Sequence, residues 1–157
     1  MNDLGALYRQ YAPDVFRFAL HLCRDRHQAE DLTSETFVRA WTAPEPIRSA
    51  TVKGYLFTIA RNLWLQGLRR SRHQVEMQET LPDPAPGPAE MTESTTQLER
   101  WLARLEQVPE VNRTALWLRA VEGFSYEEIA EALGVSVAAV KVKIHRARRA
   151  LLDVKDA

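Results

Sequence analysis

One cysteine, Cys23, is present in 157 residues. That excludes an internal disulfide framework and fits a reducing compartment. No apolar run approaches the roughly 20 residues of a membrane span. The opening MNDLGALYRQYAPD lacks the basic-then-apolar build of a signal peptide. The expectation is a cytoplasmic chain with no direct membrane insertion. There is no Gly-rich phosphate loop and no nucleophile elbow, which argues against common nucleotide-dependent and hydrolytic enzymes. No stretch alternates apolar and polar residues convincingly, so the expected fold is all-α. Net charge is also lacking, because 21 Lys and Arg balance 21 Asp and Glu.

That balance conceals a pattern. Arg61, Arg69, Arg70 and Arg72 lie in a stretch without acids. Glu76, Glu79, Asp83, Glu90, Glu93 and Glu99 follow, with no Lys or Arg from Val75 to Glu99. Lys141, Lys143, Arg146, Arg148 and Arg149 then stand together without an acid between Ser136 and Leu152. Two basic patches thus flank an acidic connector. A phosphate meets the local field and not the net charge.

Proline marks the boundary between the halves. Pro82, Pro84, Pro86 and Pro88 fall within LPDPAPGPAE. Such spacing stops a helix and favours extended, solvated backbone. The expected organisation is an N-terminal unit over 1–73, a flexible acidic Pro-rich linker over 74–95, and a C-terminal unit over 96–157. The 45% hydrophobic content is enough to give each unit a core.

Helical periodicity runs through both units. Leu4 to Arg24 carries apolar residues at helical spacing, with Pro13 expected to break or start a helix. Gln28 to Trp41 is expected to turn Leu32, Phe37, Val38 and Trp41 inward. Asp31, Glu35 and Arg39 form a polar stripe at four-residue spacing. A third helix is expected from about Val52 to Arg72, burying Leu56, Phe57, Ile59, Ala60, Leu63, Trp64 and Leu68. In the C-terminal unit, one helix is built on Leu98, Trp101, Leu102 and Leu105. Pro109 starts another, with Ala115, Leu116, Leu118 and Val121 as its apolar set.

The last segment, SYEEIAEALGVSVAAVKVKIHRARRALL, is the most informative. Ser125 and Glu128 have capping-box spacing. Gly134 falls where a helix must stop in a left-handed conformation. Ser136 is placed to cap the next helix, whose apolar stripe is Val140, Ile144, Ala147 and Leu151. The remaining surface is basic. A short helix, a tight turn and a basic helix form a helix-turn-helix, suited to the DNA major groove.

Four blocks now stand in order: AEDLTSETFVRAW, GYLFTIARNLWLQGLRR, VPEVNRTALWLRAVEGFSYEEIAEALGVS and VKVKIHRARRAL. Together they resemble the extracytoplasmic-function (ECF) sigma factors of bacterial RNA polymerase. The resemblance implies a transcription initiation factor that directs core polymerase to a two-element promoter and helps open the −10 region. It implies sigma region two over 1–73 and sigma region four over 96–157. Asp31, Glu35, Arg39 and Trp41 would bind core polymerase at the β′ clamp helices, with the β flap as a second contact. Arg61, Asn62, Arg69 and Arg70 would bind the −10 element, with the loop from Thr42 to Lys53 shaping a base pocket. Ser136, Lys141, Lys143, His145, Arg146 and Arg149 would bind the −35 element. An anti-sigma factor is an expected further partner. The sequence departs from the family where Ala139 and Val142 replace common hydroxyl residues, and where Ser34 replaces a common glutamine.

Rival readings explain less. A plain helix-turn-helix regulator leaves the N-terminal blocks unexplained. A pure protein-interaction module does not account for two separated basic patches. An enzyme would use His27, Glu30, Asp31 and Glu35 as a metal site, but no second helix offers matching ligands. No catalytic residue, metal site or cofactor is therefore expected. Cys23 reads as a small core residue in preference to a redox sensor. The acidic connector has two open readings: a passive solvated spacer, or a segment that closes over the basic faces.

Overall fold

In the computed structural model, residues 4–43, 51–77 and 96–155 are described. The chain divides into two units, Met1–Glu79 and Thr80–Ala157. Among the described residues there are seven helices and no strand.

Three mutually packed helices make the first unit: α1 (Leu4–Cys23), α2 (Arg26–Thr42) and α3 (Val52–Met77). Val15, Phe18, Ala19 and Leu22 recur on one face of α1 and are buried. Phe18 stacks on Phe57 of α3 with ring centroids 4.4 Å apart. Tyr8 meets Phe37 of α2 edge-on at 4.9 Å. Such ring pairs add about 0.5–1.5 kcal/mol each beyond area burial. Asp14 takes an ion pair from Arg17 at 2.6 Å and a longer one from Lys53 of α3 at 3.9 Å. Thr33 and Thr36 are buried on α2, and their hydroxyls donate to the carbonyls of Ala29 and Leu32, both at 2.7 Å. Each is thereby satisfied within its own helix and adds no unpaired polar group to the core.

Pro13 neither breaks nor starts a helix; it lies inside α1. An interior proline forfeits one backbone bond and costs about 3 kcal/mol. Pro13 sits on the exposed side, where water reaches the freed carbonyl, and burial of the following turns holds the helix. Val38 and Trp41 do not point inward: they are 53% and 42% exposed. Ala29, Thr33 and Thr36 take the inner positions instead, because their small side chains allow α2 to approach its neighbours. Leu68 is 43% exposed and lies in a run of exposed residues from Gln66 to Val75, where α3 has no core to join. That helix continues to Met77, so the first residues of the expected linker are helical. Residues 78–95, which hold the rest of the linker, and 44–50, within the expected −10 loop, lie outside the described residues.

The second unit comprises α4 (Gln97–Gln107), α5 (Glu110–Ala120), α6 (Tyr126–Leu133) and α7 (Val137–Lys155). Helix α7 packs against each of the other three. Its Val140, Ile144 and Ala147 are essentially inaccessible to solvent. Local chemistry sets the ends. Thr96 and Glu99 close a capping box on α4, so Glu99 serves a helix start and not the linker. Ser125 and Glu128 do the same for α6. Gly134 adopts φ 69° at the end of α6, a conformation that costs other residues about 1–2 kcal/mol. The Ser136 hydroxyl then accepts from the Ala139 amide at 3.0 Å and starts α7. Val121 was expected inside but lies past the end of α5 and is 52% exposed.

Cys23 is half-buried at the end of α1. Burial, and then the charge of Asp25, push its thiol above the ordinary range, so it stays protonated and weakly nucleophilic at neutral pH. For the core, Phe57→Ala should destabilise the first unit by about 3–5 kcal/mol, since it removes the partner of Phe18. Hydrogen exchange on the full chain should show lost protection in α1–α3 and retained protection in α5–α7. Equal loss in both units would contradict the separation of the two cores.

Candidate nucleic-acid interface

The seam that anchors α7 fixes which side chains are left outside. At about 100° per residue, Val142, His145 and Arg149 fall opposite Val140, Ile144 and Ala147. All three are exposed. Lys141 and Arg148 border this outward strip on one side; Arg146 and Lys143 border it on the other. Lys143 is half-buried, while Lys141, Arg146 and Arg148 are exposed. A central strip flanked by cations on both sides suits a helix lying in a groove between two phosphate strands. Ser136 lies just before the strip; it is exposed, and its hydroxyl accepts from the Ala139 amide as the cap of α7.

The Lys141 border carries a feature that the sequence did not disclose. The Lys141 ammonium lies 5.5 Å from the centroid of the Tyr126 ring, and the Arg119 guanidinium lies 4.6 Å from it. Both distances are in cation–π range. Arg119 also donates to the Phe124 carbonyl at 2.9 Å, which ties α5 to the turn before α6. Lys141 is therefore held against a ring and not left to swing freely. The residues concerned come from three helices, so no spacing rule flags them.

On the other border, Arg146 opens onto a recess between α4, α5 and α7. Arg104 of α4 donates through Nε to the Ala150 carbonyl of α7 at 3.4 Å.

In the first unit, α3 gathers the second basic patch. Arg69, Arg70 and Arg72 are exposed, and Arg61 is half-buried. Asn62 is exposed, so its amide edge is presented to solvent. Trp64 is half-buried and braces the helix.

Helix α2 presents a different kind of face. Asp31, Glu35 and Arg39 are exposed, and no ion pair links them among the described residues. Val38 and Trp41 stand exposed beside them. An apolar centre with a charged rim has the make-up of a protein-binding patch. The apolar character of Val38 predicts a core position, and packing leaves it outside. Glu30 pairs with Arg26 at 3.3 Å, and no group of three or more His, Cys, Asp or Glu able to hold a metal ion occurs among the described residues. Nor is any helix long and apolar enough to cross a membrane among them.

Comparison with known proteins gives a consistent result. Residues 7–74 match the family described as Sigma-70 region 2, and residues 98–151 match Sigma-70, region 4. The ECF RNA polymerase sigma factor SigE of Mycolicibacterium smegmatis is 38% identical, over 98% of this chain and 62% of its own length. The chain thus spans somewhat less than two thirds of that relative. SigM of Bacillus subtilis, also an ECF sigma factor, is 31% identical over 94% of this chain and 92% of its own. Among solved structures, the sigma factor RpoE in complex with the anti-sigma factor NepR, from Bartonella quintana, superposes with a TM-score of 0.78. Its identity is 26%, with 100% of this chain and 99% of that one covered. The chain belongs to the ECF sigma factors of RNA polymerase.

Proposed function

We propose that the two units of this transcription initiation factor divide promoter recognition between them, with α2 and α3 serving polymerase and the −10 element and α7 serving the −35 element. The observation that carries this reading is the arrangement of α7. Its outward strip of Val142, His145 and Arg149 is bordered by cations on both sides and anchored by a fully buried seam. Arg149 and His145 offer donors to base edges, and Val142 offers a methyl surface for thymine. Lys141, Lys143, Arg146 and Arg148 neutralise phosphates. Ser136 contributes by capping α7 and placing its first turn.

The first unit, spanning 1–73 with α3 running on, would act in two ways. Asp31, Glu35, Arg39 and Trp41, with Val38 between them, form the surface offered to core polymerase. Asn62 captures the edge of an extruded −10 base, and Arg61, Arg69 and Arg70 hold the adjacent backbone. Residues 78–95 join the units with acidic, proline-rich chain. Such a factor works in the cytoplasm, where polymerase and promoter DNA meet, and catalyses nothing itself. Since the related RpoE is seen bound to the anti-sigma factor NepR, an inhibitor of that kind is proposed for this chain as well.

Run-off transcription tests the assignment as a whole. Core polymerase plus this chain should start at discrete positions on genomic templates where core alone does not. A screen that yields no specific start would defeat the reading. Asn62→Ala should impair initiation on duplex promoter and spare a template already melted across the −10 region; equal loss on both would contradict base capture. Val38→Asp should weaken core binding by at least tenfold, because it places a charge in the apolar centre of the patch. Its circular dichroism should not change, as Val38 lies outside the folded core.

A further inference from the structure

We propose that the recess between α4, α5 and α7 is a seat for one DNA backbone phosphate beside the −35 element, with Arg104 and Asn112 as contacts outside the helix-turn-helix. The recess is open and about 410 Å³ in volume. Its polar lining is Arg104 and Gln107 from α4, Asn112 from α5 and Arg146 from α7. Among the described residues, no carboxylate lines it.

Three observations point to an anion. First, two arginines from different helices, Arg104 and Arg146, line the same small space. Arg104 is fixed there through its Nε bond to the Ala150 carbonyl. Its terminal nitrogens, and the Arg146 guanidinium, make no hydrogen bond or ion pair among the described residues. Two cations lining one recess make its potential positive, which favours an anion there. Second, Asn112 is only 7% exposed, yet its carboxamide has no protein partner among the described residues. Its backbone N–H is already used, donating to the Pro109 carbonyl at 3.0 Å. Among the described residues, buried side-chain atoms without a partner are confined to Trp101 Nε1 and Arg113 Nε, so the Asn112 amide reaches solvent through the recess that it lines. Third, the recess is continuous with the basic surface of α7, because Arg146 belongs to both.

The chemistry selects a phosphate. Two guanidinium forks and two amides supply donors from several directions, which suits an anion with several oxygens. On the reading of α7 given above, upon which this inference rests, the DNA backbone passes along the Arg146 border. The strand that Arg146 contacts there is the anion delivered to the recess. Arg104 and Asn112 would then fix the position of that strand, and with it the angle at which α7 enters the groove.

The test uses holoenzyme assembled from the full chain and core polymerase, bound to promoter DNA. A set of duplexes replaces single phosphates around the −35 element with neutral methylphosphonates. In the wild type, one replacement on the Arg146 side should weaken binding by about tenfold, the worth of one charge-assisted contact. Arg104→Ala should lose a similar factor on unmodified DNA and be insensitive to that same replacement. Its log–log salt slope should fall by about 0.9. Arg104→Lys should recover part of the loss. Asn112→Asp keeps the side-chain shape and places a negative charge in the recess, so it should bind more weakly still. A merely structural role for Arg104 would weaken binding to every duplex alike, without coupling to one phosphate. That result overturns the proposal, as does wild-type affinity in both Arg104→Ala and Asn112→Asp. Inorganic phosphate that binds the free chain tightly, with no coupled position in the duplex scan, also overturns it in favour of a free-anion site. If Lys141→Ala weakens −35 binding while the Arg104 variants do not, the recess fails and the reading of α7 stands. If wild-type holoenzyme ignores every change to the −35 duplex, the reading of α7 fails and the recess with it.

Discussion

The buried seam of Val140, Ile144 and Ala147 is the constraint on which the second unit depends. These side chains are 0–2% exposed and sit where α4, α5 and α6 all meet α7. Burial of a Val or Ile side chain contributes about 1.5–3 kcal/mol, so the seam is a large share of a small unit's stability. The same contact sets the rotation of α7 about its own axis. Once that rotation is fixed, the outward strip and its two basic borders are fixed as well. Stability and the layout of the basic surface are therefore not separable in this helix, and a change to the seam moves every side chain on the other side.

The rest of the unit serves to hold that rotation. Gly134 turns the chain sharply between α6 and α7, and the Ser125 and Ser136 caps define where each helix begins. Tyr126 then places Lys141 on one border, and Arg104 bonds to α7 on the other. The first unit solves a different problem. The Phe18–Phe57 stack and the Tyr8–Phe37 contact join three helices with few residues. Ala29, Thr33 and Thr36 share the inner face of α2 with Leu32 and Phe37, while Val38 and Trp41 stay outside. An apolar centre of Val38 and Trp41 results, on a helix that would otherwise be a solvated surface.

What was legible in the sequence was local. The Ser125–Glu128 box, the left-handed Gly134 and the apolar stripe of α7 follow from spacing over a few residues, and each is present. What was not legible depends on packing against distant chain. Hydrophobicity placed Val38 and Trp41 inside, but a helix buries the face that fits its neighbours, and Thr33 and Thr36 fit better because they bond their own backbone. Pro13 reads as a breaker until tertiary burial outweighs its cost. Arg104, Asn112 and Arg146 come from three different helices, as do Arg119, Tyr126 and Lys141. Only the fold brings each set together.

On the proposed function, one chain reads two promoter elements with two different units. Site-specific photo-crosslinking tests it most directly. A photoreactive residue is placed at position 62 in one full-length variant and at position 145 in another, each assembled with core polymerase on one promoter. The account predicts that position 62 crosslinks to the melted −10 strand and position 145 to the −35 duplex, within the same complex. Crosslinks from both positions to a single element, or none from position 145 near −35, would contradict it.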